Sequence, residues 1–268
     1  MIRFNTHSLY DLFPYNHAED GEPFIECYND TFVEECKHPG CNIALLLEPR
    51  SLLPDAYKYT EEHADLFRYI FTHDSKLLRL PQARWLNWAD VWLTTDSDKT
   101  KGISLCTSSK DWCPLHKARL ELAEYFKERP EVDVFHGDGS FKYDKFNLTY
   151  QPEEYLEHYR YSIIIENDID EMWFTEKLLN CFSTKTVPIY VGARGINALF
   201  NVGGMIRVED WHSIPYIVEN LDVISDYESR RKYIEDNFRR VEQYKTPWPL
   251  RFMNDYKDLL EGLINEQS

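Results

Sequence analysis

The 268-residue chain reads as an α/β protein built from two Rossmann-like units in succession. Three observations predict this. Short apolar, β-branched runs recur at 42–47, 69–72, 103–107, 161–165 and 187–191, the pattern of strands buried on both faces of a parallel sheet. Segments with helical spacing of apolar residues lie between several of them. A polar stretch, Thr94-Thr95-Asp96-Ser97-Asp98-Lys99-Thr100-Lys101-Gly102, separates the two series and reads as a linker. The expected division is an N-terminal domain over 1–98, a second domain over 99–245, and a C-terminal helix over 246–268 returning to the N-terminal domain, with the two domains facing a cleft.

Residues 1–41 read as irregular, with one short strand near Phe24-Ile25-Glu26-Cys27. The first clear strand is Asn42-Ile43-Ala44-Leu45-Leu46-Leu47, ending in Glu48-Pro49, so a carboxylate stands at a strand mouth. A loop and helix fill 53–67, then Tyr69-Ile70-Phe71-Thr72 makes a strand ending at His73-Asp74. The tryptophan-rich segment 77–91 carries no clear period. In the second half, Ile103-Ser104-Leu105-Cys106-Thr107 is a strand with a polar loop, Ser108-Ser109-Lys110, at its carboxyl end. A helix over 114–127 presents Leu115, Ala118, Leu122 and Phe126 on one side, and Val132-Asp133-Val134-Phe135 is the next strand. Gly139 to Lys145 reads as a mobile surface loop.

The stretch from Tyr159 to Gly192 reads as strand, loop, helix, strand. Tyr161-Ser162-Ile163-Ile164-Ile165 is broken by Glu166-Asn167-Asp168; Thr175 can cap a helix carrying Leu178, Leu179 and Phe182; Val187-Pro188-Ile189-Tyr190-Val191 closes at Gly192. Further on, 193–200 reads as a short helix, 205–208 as a strand, and 214–221, 226–244 and 251–264 as helices.

Composition excludes several classes. With 43% hydrophobic and 28% charged residues the chain is globular rather than disordered. A net charge of −16 argues against nucleic acid as the main partner and requires any phosphate site to be a local basic pocket. No apolar run approaches the roughly 20 residues that span a bilayer. The N-terminus lacks a signal-peptide pattern, so a cytoplasmic protein is expected, held at a membrane, if at all, through a substrate or partner; a catalytic portion of a membrane-tethered parent fits as well. The six cysteines read as free thiols, since Cys36 to Cys41 has no second half-site for zinc. Without a secretory signal the sequons at Asn29 and Asn147 read as unused.

Glu166, Asn167, Thr175, Glu176 and Lys177 all fall where an open α/β sheet binds ligands, beyond strand ends and near a helix start. A lysine in a first helical turn opposes the helix dipole, which points to an anionic ligand; an ordinary βαβ unit with solvated charges is the plainer alternative.

The same stretch resembles the donor-binding signature of the family 10 glycosyltransferases, the α-1,3/1,4-fucosyltransferases. That signature is an aromatic-rich strand, Phe-Glu-Asn-Ser, a short gap, Tyr-(Val/Ile)-Thr-Glu-Lys and a strand ending Val-Pro-(Ile/Val)-x-x-Gly. Glu166-Asn167, Trp173-Phe174-Thr175-Glu176-Lys177 and Val187-Pro188-Ile189-Tyr190-Val191-Gly192 match in order and spacing, with Asp168 for the usual serine and Trp173 for the usual tyrosine. The likeness covers residues 101–245 well and the first hundred loosely.

The resemblance implies a GT-B-like fold, with acceptor recognition in the first domain and nucleotide sugar in the second. It implies an inverting transfer of L-fucose from GDP-fucose to a glycan hydroxyl, without a required metal, though a divalent ion could aid product release. Such transfer must neutralise the departing diphosphate and deprotonate the attacking hydroxyl. No Asp-x-Asp stands in an obvious loop context for a metal-bound diphosphate, so Lys177 and Arg119 are the expected cations, with His116 or Lys117 aligning nearly as well as Arg119. Glu176 is expected on sugar or ribose hydroxyls, Asn167 on the loop or donor phosphate, and Ser108 near the donor. Glu166 would hold the loop backbone, and Trp173 would stack on base or sugar or plug the core. Glu48 is the expected base, with His73 and Asp74 in reserve. Competing expectations are another GDP- or UDP-hexose as donor and a glycan-binding protein without catalysis; a dehydrogenase is disfavoured, since no Gly-x-Gly-x-x-Gly follows a strand.

Overall fold

The computed structural model describes residues 2–19, 21–136 and 151–266. The Gly139–Lys145 loop and the Asn147 sequon lie outside them. The chain divides into two compact units: Met1–Trp88 with Asp170–Trp173 and Thr246–Ser268, and Ala89–Ile169 with Phe174–Lys245.

The first unit holds a five-stranded parallel sheet in chain order: β1 (Phe4–His7), β2 (Ile25–Asn29), β3 (Asn42–Leu46), β4 (Tyr69–Thr72) and β5 (Ala83–Trp85). Every residue of β3 is buried, as its apolar run requires of a central strand. β1 is an edge strand in which only Phe4 is buried, so the sequence shows no apolar run there. Helix α1 (Pro54–Glu62) opens on a proline and buries Ala56, Tyr57 and Thr60. The other face is covered late in the chain, because Trp248, Phe252, Leu260 and Leu263 share a core with Phe4, Ile25, Ile43 and Phe71.

The second unit begins with residues expected as a linker. They are fastened rather than loose: Thr95 N donates to Ser183 O at 3.2 Å, and Lys99 Nζ donates to Leu156 O, Glu157 O and Thr186 Oγ1 at 2.8–3.0 Å. The elements that follow are β6 (Lys101–Thr107), α2 (Pro114–Phe126), β7 (Val132–His136), α3 (Pro152–Leu156), β8 (Tyr159–Ile165), α4 (Glu176–Ser183), β9 (Val187–Val191) and β10 (Ile206–Arg207). Helices α5 (Ile214–Asn220), α6 (Val223–Ser229) and α7 (Arg231–Arg240) complete it. Two more, α8 (Trp248–Asp255) and α9 (Lys257–Asn265), belong to the first unit and carry the late core residues just named.

Three expected helices take other forms, that over 251–264 being split at Tyr256 between α8 and α9. Segment 193–200 is regular only over the 3₁₀ turn Ile196–Ala198, and 226–244 is broken at Arg230 between α6 and α7. Pro188 is tolerated inside the sheet because the short β10 pairs only with Ile189 and Tyr190.

The strand order of this sheet is β7-β6-β8-β9-β10, all parallel. Counted from β6, that is 2-1-3-4-5, the doubly wound order in which succession reverses between the first and third strands. The carboxyl ends of β6 and β8 therefore flank a topological switch point. The first sheet, running in sequence, has none.

Candidate active site

At the switch point α2 follows β6, and the Glu166-Asn167 loop follows β8. Pro114 occupies the first position of α2, and no side chain caps that helix start. Arg119, one turn further, is only 9% exposed. Its Nη2 donates to Asn167 Oδ1 at 2.6 Å and its Nε to Leu115 O at 3.4 Å. No carboxylate pairs with it among the described residues. Burial lowers its proton affinity while Glu166 acts in the opposite sense from a distance, and an arginine so placed stays protonated.

His116, which the sequence offered only as a substitute for Arg119, is a partner of the same group. Its Nδ1 accepts from the Trp112 amide at 3.2 Å, so Nε2 carries the proton and donates to Asn167 Oδ1 at 3.0 Å. Burial, with Arg119 second, brings its imidazole down to about 4, so His116 is neutral at pH 7. Asn167 thus joins two side chains of α2 to the end of β8.

The neighbouring loop is organised by Glu166, which is fully buried. Its carboxylate accepts from Thr175 N at 2.9 Å and Thr175 Oγ1 at 2.8 Å, while its own amide donates to Val191 O at 2.9 Å. Thr175 caps α4 by accepting the Lys177 amide. Lys177 Nζ donates to Thr175 Oγ1 at 3.2 Å and Glu176 Oε1 at 2.9 Å, and its side chain remains 29% exposed. Burial pulls the Lys177 ammonium down, but Glu176 and Glu166 outweigh it and raise it overall; Arg119 is among the charges acting on it. Gly192 closes this corner: a Cβ there would meet the Tyr190 ring and stand 2.7 Å from Glu166 Cγ.

Ser108 is engaged in its own turn, its Oγ accepting the Lys110 amide at 3.4 Å. Trp173 corrects the stacking expectation. It is 1% exposed, donates Nε1 to Leu47 O at 3.3 Å and packs against His73 with ring centroids 5.7 Å apart, all within the first unit. No ring face is left for a ligand.

In the first unit Glu48 stands just beyond β3. Its amide donates to Asp30 Oδ1 at 3.2 Å and its carbonyl accepts from Tyr57 Oη at 2.6 Å. The reserve candidates are committed elsewhere. Asp74 accepts Arg50 Nε and Nη2 at 2.9 and 3.0 Å, and these bonds hold its carboxyl low against the opposing pull of burial. His73 is buried, and burial brings its imidazole down to about 3. Because Tyr57 spends its proton on Glu48 O, His73 Nε2 must donate to Tyr57 Oη at 3.3 Å, leaving Nδ1 a bare acceptor. Among the described residues no group of three or more His, Cys, Asp or Glu side chains gathers to hold a metal ion. Among them, too, no helix is long and apolar enough to cross a membrane. All six cysteines are free, and Asn29 is buried with its amide on Leu45 O.

Residues 96–248, more than half of the chain, match the family model for the C-terminal part of glycosyltransferase family 10 (fucosyltransferase). The chain belongs to that family. The α-(1,3)-fucosyltransferase FucT of Helicobacter pylori is 23% identical over 133 residues, 49% of this chain and 25% of that protein, so the match spans about a quarter of the relative's length. A solved α1,3-fucosyltransferase with GDP has a TM-score of 0.56 over 97% of this chain and 90% of that one, at 12% identity. One with GDP-fucose has 0.51 over 82% and 75%, at 14% identity, and TarM 0.58 over 88% and 54%, at 11%. At these identities the likeness is one of fold, and the fold is GT-B, with two parallel-sheet α/β units.

Proposed function

We propose that this family 10 glycosyltransferase moves L-fucose from GDP-fucose to a hydroxyl of a glycan acceptor, with inversion at the anomeric carbon. The observation that carries the reading is Arg119, a buried guanidinium at a topological switch point, satisfied by neutral oxygens alone. A buried cation without a counter-charge is costly unless an anion arrives to meet it. A nucleoside diphosphate is the anion such switch points are built to take. The uncapped start of α2 and Lys177 add to the same field.

In this reading the acceptor O–H gives its proton to the Glu48 carboxylate as its oxygen attacks the anomeric carbon. The bond from that carbon to the β-phosphate oxygen breaks, and the electron pair leaves on GDP. Arg119 and Lys177 take up the charge that develops on the diphosphate. Asn167 and His116 orient Arg119, and Glu166 with Thr175 holds the turn that presents Glu176 and Lys177. The metal ion is dispensable here because these cations do its work. Another nucleotide hexose remains the competing donor.

The test is calorimetric titration with GDP, GDP-fucose, UDP and UDP-hexoses, followed by GDP release from GDP-fucose over a glycan array. GDP-fucose binding and acceptor-dependent GDP release are expected. Binding of UDP species alone would overturn the donor, and binding of no nucleotide would overturn the transferase reading.

A further inference from the structure

Asp30 was not singled out by the sequence, where Asn29-Asp30-Thr31 reads as an unused sequon. In the fold it follows β2 with φ 49°, in the left-handed region that few residues other than glycine, Asn and Asp enter. That conformation aims the carboxylate at the end of β3. Oδ1 accepts the Leu47 amide at 2.8 Å and the Glu48 amide at 3.2 Å. The last paired residues of the two strands are Asn29 and Leu45, so the Asp30 side chain continues the ladder where the backbone stops. With Tyr57 Oη on the Glu48 carbonyl, the Glu48 residue is pinned at both its N–H and its C=O.

We propose that Asp30 is the positioning residue for Glu48: its side-chain oxygen fixes the Glu48 backbone at the mouth of β3. This rests on the reading of Glu48 as the proton acceptor. Asp30 is partly buried and serves two successive amides with one oxygen. Among the described residues no Lys, Arg or His pairs with it. The groups facing it are the Glu48 carboxylate and two amides from the β3 end, Asn29 from β2 and the Tyr57 phenol from α1, with Arg50 and Asp74 also acting on that phenol. Burial pushes the Asp30 carboxyl up to about 7 against the pull of the Leu47 amide, and Glu48 adds to the rise. Near neutral pH the group is therefore part-protonated, and what the two amides require of it is an acceptor oxygen rather than a fixed charge.

Three variants test this, read by GDP release from GDP-fucose with water or a glycan-array hit as acceptor, and by amide hydrogen exchange. Asp30→Asn keeps an acceptor for both amides and tolerates the left-handed backbone. Its Leu47 and Glu48 amides should stay protected and its kcat should hold within about threefold of wild type, because the amide oxygen replaces the carboxylate oxygen as acceptor. Asp30→Ala should speed exchange at those two amides by about tenfold and lower kcat about as much, with KM for GDP-fucose unchanged. Glu48→Gln should lower kcat by about a hundredfold or more. Amides in Asp30→Asn that exchange as fast as in Asp30→Ala, or unmoved amides in Asp30→Ala, overturn the positioning role while leaving Glu48 as base. Asp30→Asn as inactive as Glu48→Gln would make Asp30 the proton acceptor and overturn the proposal. A fully active Glu48→Gln would sink the base assignment itself, a separate failure.

Discussion

Replacing Arg119 by methionine separates what the empty fold favours from what an anionic ligand favours. The guanidinium is 9% exposed and holds one strong bond, to Asn167 Oδ1 at 2.6 Å, and one long one, to Leu115 O at 3.4 Å. Losing the first costs about 1.5–3 kcal/mol, the scale for hydrogen bonds to charged groups. Asn167 Oδ1 is not orphaned, because His116 Nε2 still donates to it. On the other side, removing a buried cation returns a desolvation cost of roughly several kcal/mol. Methionine keeps most of the apolar stem and adapts to the space. The two terms leave the unliganded variant about as stable as wild type or more stable by about 1–2 kcal/mol. That gain corresponds to about 2–4 °C in Tm per kcal/mol for a unit of this size.

GDP affinity should move the other way. Truncating one partner of a buried charge pair costs about 2–5 kcal/mol, or roughly thirtyfold to several thousandfold in Kd. Thermal unfolding with and without GDP reads both numbers in one experiment, since bound ligand raises Tm by mass action. The expected result is an unchanged or higher Tm without GDP and a lost or much reduced shift with it. A variant that loses about 2 kcal/mol or more of stability yet binds GDP within about threefold of wild type would show Arg119 to be structural, and the diphosphate assignment would fall.

Other outcomes follow from the same geometry. Because the folded state holds His116 near 4 and His73 near 3 against 6.5, the unfolded chain binds more protons between these values, so stability falls as pH drops from 6.5 toward 4. His116 alone accounts for up to about 3 kcal/mol of this, and a Tm–pH series should be flatter over that range in His116→Asn. Gly192→Ala should cost about 1–3 kcal/mol by overpacking against Tyr190 and Glu166 and should weaken GDP binding through the displaced Glu166-Thr175 turn, read by the same melts. Trp173→Phe should lose about 1–2 kcal/mol for the indole bond to Leu47 O yet bind GDP within about twofold of wild type; a tenfold loss of affinity would restore the stacking role.

What the sequence could express depends on whether a feature is local. β8, α4 and β9 were legible because each carries its own signal: an unbroken apolar run, a Thr cap, a helical apolar stripe. β1 was not, since an edge strand with one buried residue out of four has no apolar pattern to show. α3, five residues long, is too short to display a period. Trp173 marks a different limit. A ring shortly before a helix has the same local context whether it faces a ligand or the core, and only its burial against Leu47 and His73 decides. Asp30 was invisible for a related reason, because neither a positive φ nor two amides 17 and 18 residues away leave a trace in Asn-Asp-Thr.

The largest illegible feature is also the one on which the chemistry turns. The apolar runs of β6, β7 and β8 would be the same if the strands lay in chain order, as they do in the first sheet. In that order β7 would separate β6 from β8, and α2 would start two strands away from the Glu166-Asn167 loop. With β6 against β8 instead, Leu105 pairs with Ile163, and Arg119 and His116 both reach Asn167. Side-chain identity could therefore nominate Arg119, Asn167 and Lys177 from the sequence. It is the exchange of two strands that brings a buried cation to a place where the sheet opens, and on which the proposed diphosphate role of Arg119 rests.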